Sequence, residues 1–322
     1  MPSQRNIIIC CDGTGNEYGS NKTNVVRVCE IAATDDSQIV FYDPGVGTGG
    51  WEYDELSGKL KDMSEQATGG GLQKNVEDAY RFLMQVYEPG DNIYLFGFSR
   101  GAFTVRSLAG MLFRCGLLRP DLHNLLEQAS KIYNRRGDNL DAAFKDTFSR
   151  SCPVHFIGVW DTVESLVLHE GRKFHDTRLN KEVSNAYHAI ALDEVRKDFP
   201  PCLWDEDNIS KGQIMEQVWF AGVHSDVGGW YDERGLSDIT LRWMLGNARR
   251  CGMKLKQREF AKVRGNALEQ QHDSHTGFWN FRGKHKRQVP PQGKIHESVR
   301  ERMENTSYKP VRELPADVEY VG

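Results

Sequence analysis

Five short apolar runs punctuate the chain, and each ends on a turn rich in Gly, Asp, Ser or His. Ile7–Cys11 precedes Asp12-Gly13-Thr14-Gly15-Asn16, and Ile39–Tyr42 precedes Asp43-Pro44-Gly45. Ile93–Phe96 precedes Gly97-Phe98-Ser99-Arg100-Gly101, and His155–Trp160 precedes Asp161-Thr162. Gln217–Phe220 runs on to Gly222-Val223-His224-Ser225-Asp226-Val227-Gly228-Gly229. Unbroken apolar strands are those buried on both faces of a parallel sheet. Between them lie stretches with helical spacing: Asn75–Tyr87, where Val76, Ala79, Tyr80, Leu83 and Val86 share a face, then Ala102–Leu117 and Leu236–Cys251. The alternation predicts a doubly wound, mostly parallel α/β sheet with helices on both faces. Functional groups in such sheets gather beyond the carboxyl ends of the strands, which is where the Asp, Ser and His residues fall here.

Length and charge sharpen this picture. The chain has 322 residues and 39% hydrophobic residues, enough for one large core, and a net charge of -4 gives no bulk attraction to nucleic acid. Residues 1–252 are expected to form the catalytic core. Residues 253–322, strongly polar, are expected to pack on it as an extension rather than fold as a second domain. The Gly-rich stretch Gly49–Gly71 reads as a loop over the site. The seven cysteines show no CxxC spacing, so they read as buried thiols rather than a zinc or redox centre. No run approaches the about 18 apolar residues of a membrane span, and Ile7–Cys11 is too short for a signal-peptide core. The expected location is the cytoplasm as synthesised.

Gly97-Phe98-Ser99-Arg100-Gly101 matches G-x-S-x-G, a weak pattern alone. Here a strand precedes it and a helix follows, the setting in which a serine is projected from a tight turn as a nucleophile. The glycines keep side chains out of the crowded strand–helix junction, and the Arg100 N–H at the helix start suits an oxyanion. A serine nucleophile needs a histidine base and an orienting carboxylate, in the chain order Ser, Asp or Glu, His. Among ten histidines, His224 follows a strand in a Gly-rich turn and is the first candidate, with His296 the alternative. Asp161, ending a strand between Ser99 and His224, is the candidate orienting acid. Asp193 and Asp226 are its alternatives: Asp193 reads equally as a helix ion-pair residue and Asp226 as a turn cap. Asp12 is expected to fix its loop, and the backbone of Gly13 and Thr14, with the Thr14 hydroxyl, is a candidate second oxyanion donor.

Other chemistries fit less well. Gly45-Val46-Gly47-Thr48-Gly49-Gly50 opens no helix and is followed by acidic residues, unlike a dinucleotide loop. A cation held by Asp12, Asp161, His224 and Asp226 is conceivable, but the serine elbow accounts for the same residues. No cofactor and no metal are therefore expected.

Taken in order, Cys11–Asn16, Gly97–Ala102, Gly158-Val159-Trp160-Asp161-Thr162-Val163, Ala189–Glu194 and Gly222–Gly229 resemble the α/β-hydrolase catalytic domain of the first class of type VI secretion phospholipase effectors. The likeness runs from about residue 5 to 250, and Ile295–Pro315 is similar to the family's tail. The resemblance implies a Ser-Asp-His hydrolase of lipid or phospholipid esters, with Ser99 as nucleophile and Asp161 and His224 as its partners. It implies a lipid substrate, transient contact with a membrane surface and, as an option, export by a specialised secretion system. Trp51, Tyr53, Trp230 and Tyr231 are candidates to line an acyl pocket. Two other outcomes remain distinct: an interaction protein that keeps the scaffold without catalysis, and a thioesterase or amidase of the same fold.

Overall fold

In a computed structural model, residues 4–13, 21–45, 69–135, 140–163, 178–281 and 283–322 are described. A single eight-stranded sheet organises them. Its strands are β1 (Asn6–Cys11), β2 (Gln38–Asp43), β3 (Asn92–Phe98), β4 (Val154–Trp160), β5 (Val183–Ala191), β6 (Ile214–Phe220), β7 (Lys294–His296) and β8 (Glu319–Val321). The spatial order is β2-β1-β3-β4-β5-β6-β7-β8, and every neighbouring pair is parallel. This is the doubly wound α/β arrangement the alternating pattern implies.

The alternation within β1 shows why the apolar runs are continuous. Ile7, Ile9 and Cys11 face one layer of helices, and Ile8 and Cys10 the other. The first layer holds α2 (Gly69–Val86), α3 (Arg100–Cys115), α4 (Leu126–Asn134) and α5 (Leu140–Phe148). The second holds α1 (Asn24–Ile31) and α7 (Gly235–Arg250), with the short α6 (His224–Gly228) beside them. Among the described residues no disulfide joins the seven cysteines, five of which are buried.

The predicted strands and helices are present, shifted by a few residues at their ends. β5 was absent from the predicted set. Its Ser184, Asn185 and His188 interrupt the apolar pattern, and tertiary hydrogen bonds satisfy two of these inside the sheet: Asn185 donates to His155 O at 2.8 Å, and His188 accepts from Thr162 N at 3.1 Å. The polar extension does more than cover the surface. It adds β7 and β8 to the sheet, and Ile295 and Val299 join Ile190 and Trp219 in a third apolar cluster. Helix α8 (Gln257–Phe260) and helix α9 (Glu297–Asn305) also belong to it.

The register sets up the site. Cys11 pairs with Gly97, Phe98 with Trp160, Trp160 with Ala189, and Ala191 with Phe220. The residues that follow these positions therefore emerge at one edge. Strand order reverses between β1 and β3, the point at which a doubly wound sheet opens a crevice.

Candidate active site

The elbow after β3 is as tight as its glycines imply. Ser99 sits at φ 56°, ψ -120°, a backbone conformation that side-chain-bearing residues rarely adopt. A Cβ on Gly97 would lie 2.4 Å from Gly101 O, and one on Gly101 would lie 2.0 Å from Cys11 O. Only glycine lets the start of α3 press against the ends of β3 and β1. Ser99 N–H donates to Trp160 O at 3.1 Å, which ties the elbow to the end of β4. Arg100 opens α3, so its N–H has no intrahelical acceptor. Among the described residues its guanidinium has no ion pair, and burial lowers its pKa to about 10.

The next residue along β4, Asp161, is fully buried and also left-handed, at φ 40°. Its backbone N–H donates to Ala189 O at 2.8 Å. Its carboxylate accepts from Ala191 N at 2.9 Å through Oδ1 and meets His224 Nδ1 at 2.5 Å through Oδ2. His224 opens α6, immediately beyond the turn that leaves β6. Its ring packs against Phe98, tilted by 35° with centroids 4.5 Å apart, and meets Phe199 edge-on at 5.1 Å. An ionised Asp161 can only accept, so Nδ1 carries the imidazole proton and Nε2 keeps its lone pair. Asp161 and His224 are thus brought together, and Phe98 and Trp160 link both to Ser99.

Three side chains outside the expected set complete this network. Arg287, from the polar extension, is 3% exposed. It grips Asp161 with Nη1 on Oδ1 at 2.6 Å and Nη2 on Oδ2 at 3.0 Å, and it donates to Ala191 O and Phe199 O at 2.7 and 2.8 Å. Glu194 accepts from His224 N at 3.2 Å, from the Ser274 hydroxyl at 2.9 Å and from Arg196 at 2.8 Å. His188, on β5, lies behind the Asp161 turn. Its Nε2 accepts from Thr162 N at 3.1 Å, so its proton is on Nδ1, facing Gln217. Burial pushes its pKa down to about 3, which keeps it neutral. Nothing in the spacing of Arg287 or His188 marks them. Glu194 lies in the Ala189–Glu194 motif, the one available signal.

Charges in the network balance: Asp161 and Glu194 against Arg287 and Arg196. Burial opposes ionisation of Asp161 more than any single neighbour favours it. The Arg287 charge and the His224 hydrogen bond together prevail, and the carboxyl is held well below the usual carboxylate range. For His224, burial is the largest effect and lowers its pKa, with Asp161 pulling partly the other way. The imidazole is neutral at neutral pH, the state a base requires.

The remaining expected residues fall elsewhere. Asp193 follows β5 in an irregular loop, not a helix. It accepts from Gly222 N and Tyr308 Oη, both at 2.7 Å, and from Val311 N at 3.1 Å. Asp226 accepts from Val223 N at 3.0 Å and pairs with His272 Nδ1 at 2.7 Å. Among the described residues, the carboxylate hydrogen-bonded to the His224 ring is that of Asp161. His296 caps α9, accepting from Ser298 N at 3.1 Å, and its ring stacks on Phe220 at 4.7 Å. Burial takes its pKa down to about 4.

Asp12 secures its loop. It accepts from Thr23 Oγ1 at 2.6 Å, Tyr42 Oη at 3.2 Å and Gly13 N at 2.7 Å. The Gly13 N–H, considered above as an oxyanion donor, is therefore engaged within its own loop. Thr14, Trp51, Tyr53 and most of Gly49–Gly71 lie outside the described residues. Tyr231 stacks on His272 at 3.7 Å. Among the described residues, no three His, Cys, Asp or Glu side chains are grouped as metal ligands, and no helix is long and apolar enough to cross a membrane.

Over residues 5–247 the sequence matches the family described as type VI secretion system phospholipase effector Tle1-like, catalytic domain. The uncharacterized protein YEL023C of Saccharomyces cerevisiae is 36% identical over 219 residues, 61% of this chain. The match spans about a third of that relative's length, 32%. A crystal structure of an uncharacterized protein from Pseudomonas aeruginosa has a TM-score of 0.48 at 19% identity, covering 82% of this chain and 49% of the other. The Tle1 effector bound to the VgrG spike of the type 6 secretion system has a TM-score of 0.41 at 18% identity, covering 71% and 52% respectively.

Proposed function

This chain belongs to the Tle1-like phospholipase effector family, catalytic domain, and from that premise we propose that it is a serine hydrolase of carboxylic esters in phospholipids. The buried Asp161–His224 pair, at 2.5 Å and beside the left-handed Ser99 elbow, is the observation that carries the reading.

Ser99 Oγ attacks the ester carbonyl carbon as His224 Nε2 takes its proton. Asp161 holds the imidazole with Nδ1 protonated and stabilises the imidazolium that forms. The oxyanion is met by the Arg100 N–H, with the dipole of α3 behind it. His224 then gives the proton to the leaving alcohol. Water, deprotonated by the same Nε2, releases the acid from Ser99. The Arg100 guanidinium, largely buried without an ion pair among the described residues, supports an anionic substrate: a phosphodiester near the reacting ester would supply the missing charge.

Labelling with a fluorophosphonate probe tests the nucleophile. Wild-type protein is expected to label and Ser99→Ala is not. Absence of labelling, or equal labelling of both, overturns the reading. Turnover of p-nitrophenyl esters and phospholipids against thioesters and amides of matched acyl chains tests the bond cleaved. Faster turnover of the thioester or amide would move the assignment to a thioesterase or amidase.

A further inference from the structure

We propose that the strap carrying Phe281, Lys284, His285 and Lys286 docks this site onto an anionic lipid surface, an inference that rests on the lipid-ester reading above. Phe281 is 89% exposed, and the next most exposed large hydrophobic residues among those described reach 47%. A lone exposed apolar residue is unremarkable on a protein surface. Here, though, it is followed by exposed Lys284, His285 and Lys286, none of them ion-paired among the described residues. An aromatic ring beside the cations of Lys284 and Lys286 matches the two layers of a bilayer surface, acyl boundary and anionic headgroup.

The strap is also fixed relative to the site. His285 N–H donates to Val195 O at 2.8 Å and Lys197 N–H to Gly283 O at 3.3 Å, which pins the backbone against the segment after β5. Beyond the cations the chain plunges inward, and the next residue, Arg287, grips Asp161. On the other side, Trp279 meets Phe199 edge-on at 5.3 Å, and Phe199 meets His224 edge-on at 5.1 Å. Arg196 lies 3.6 Å over the Phe199 ring and 5.1 Å from that of Trp279. The exposed ring and cations are therefore joined to the reacting groups by a short, packed path. The chain as a whole carries a net charge of -4, so its attraction to anionic lipid must be local. Salt screening confines it to about 8 Å. Such a contact presents the site to esters that lie at the membrane surface.

The test is co-sedimentation of the Ser99→Ala chain with vesicles of phosphatidylcholine alone, or of phosphatidylcholine and phosphatidylglycerol in equal parts. Binding is expected to the second vesicle only, and to fall as salt rises. K284Q/K286Q is expected to weaken it at least about ten-fold, given what each cation contributes near an anionic surface. Phe281→Ser is expected to weaken it by about ten-fold at every salt concentration. Equal binding to both vesicles, or unchanged binding by both variants, overturns the proposal. Turnover of a soluble ester by the Ser99-containing parent separates the two readings. Turnover without vesicle binding removes the docking strap and leaves the hydrolase. Vesicle binding that the variants weaken, without turnover, leaves the strap and removes the hydrolase.

Discussion

Replacing Arg287 by Met keeps most of the side-chain length and removes the guanidinium from Asp161. The wild-type contacts are two hydrogen bonds to the carboxylate, at 2.6 and 3.0 Å, and two to the Ala191 and Phe199 carbonyls, at 2.7 and 2.8 Å. Asp161 is 0% exposed and Arg287 3%, so water does not take over these roles. Removing one partner of such a pair leaves an uncompensated buried charge and costs about 3–5 kcal/mol. For a chain of 322 residues that corresponds to a fall in melting temperature of about 4–7 °C.

The pH dependence follows from the direction of the Asp161 shift. Its folded carboxyl is held below the ordinary value, so the stability it contributes is present above about pH 4 and is lost as pH falls through the folded value. The gap between wild type and R287M is therefore expected to be widest at neutral pH and to close in acid. Thermal melts across that range measure it. The double variant D161N/R287M removes both charges and is expected to regain part of the loss. An unchanged melting temperature for R287M at neutral pH would show that Arg287 does not carry the charge of Asp161.

The remaining expectations concern the same network. Because burial lowers the His224 pKa and the proposed mechanism uses the neutral ring as base, kcat/KM is expected to rise with pH through a midpoint below the usual value of about 6.5. A midpoint at or above that value would contradict the geometry. The same midpoint is expected to move up in R287M, because a competing positive charge beside Asp161 is gone. His188→Ala leaves Thr162 N–H unpaired, at a cost of about 1–3 kcal/mol. It is expected to lower kcat for esters while KM holds, and His188→Gln, which offers an acceptor, is expected to recover part of it. Gly101→Ala forces a Cβ to within 2.0 Å of Cys11 O, and loss of about 3 kcal/mol or of soluble protein is expected. Gly246→Ala, with nothing within 4 Å of its Cβ, is the control and is expected to be neutral or stabilising in urea titrations.

The elbow was legible from sequence because every requirement for it is local. A buried strand, a serine that must turn sharply and glycines at fixed offsets are all read from neighbouring residues, and the φ of 56° at Ser99 is their outcome. Asp161 and His224 were legible because parallel strands deliver their carboxyl ends to one edge, so position along the chain stands in for position in space. The same logic failed for β5. Its polar residues break the apolar pattern, and their partners His155 O and Thr162 N come from another strand end. Asp193 was ambiguous for a related reason: its three donors come from Gly222, Tyr308 and Val311.

The sequence by itself determined a parallel α/β sheet and the placing of Ser99, Asp161 and His224 at strand ends, because hydrophobic period and glycine spacing act over a few residues. Only the tertiary structure decided which groups set the charge on that constellation. Arg287 lies 126 residues from Asp161 in a polar tail, where it reads as one more surface cation. A buried charge takes its partner from whichever element packs against it, and that element is fixed by the folding of the whole chain rather than by any local pattern.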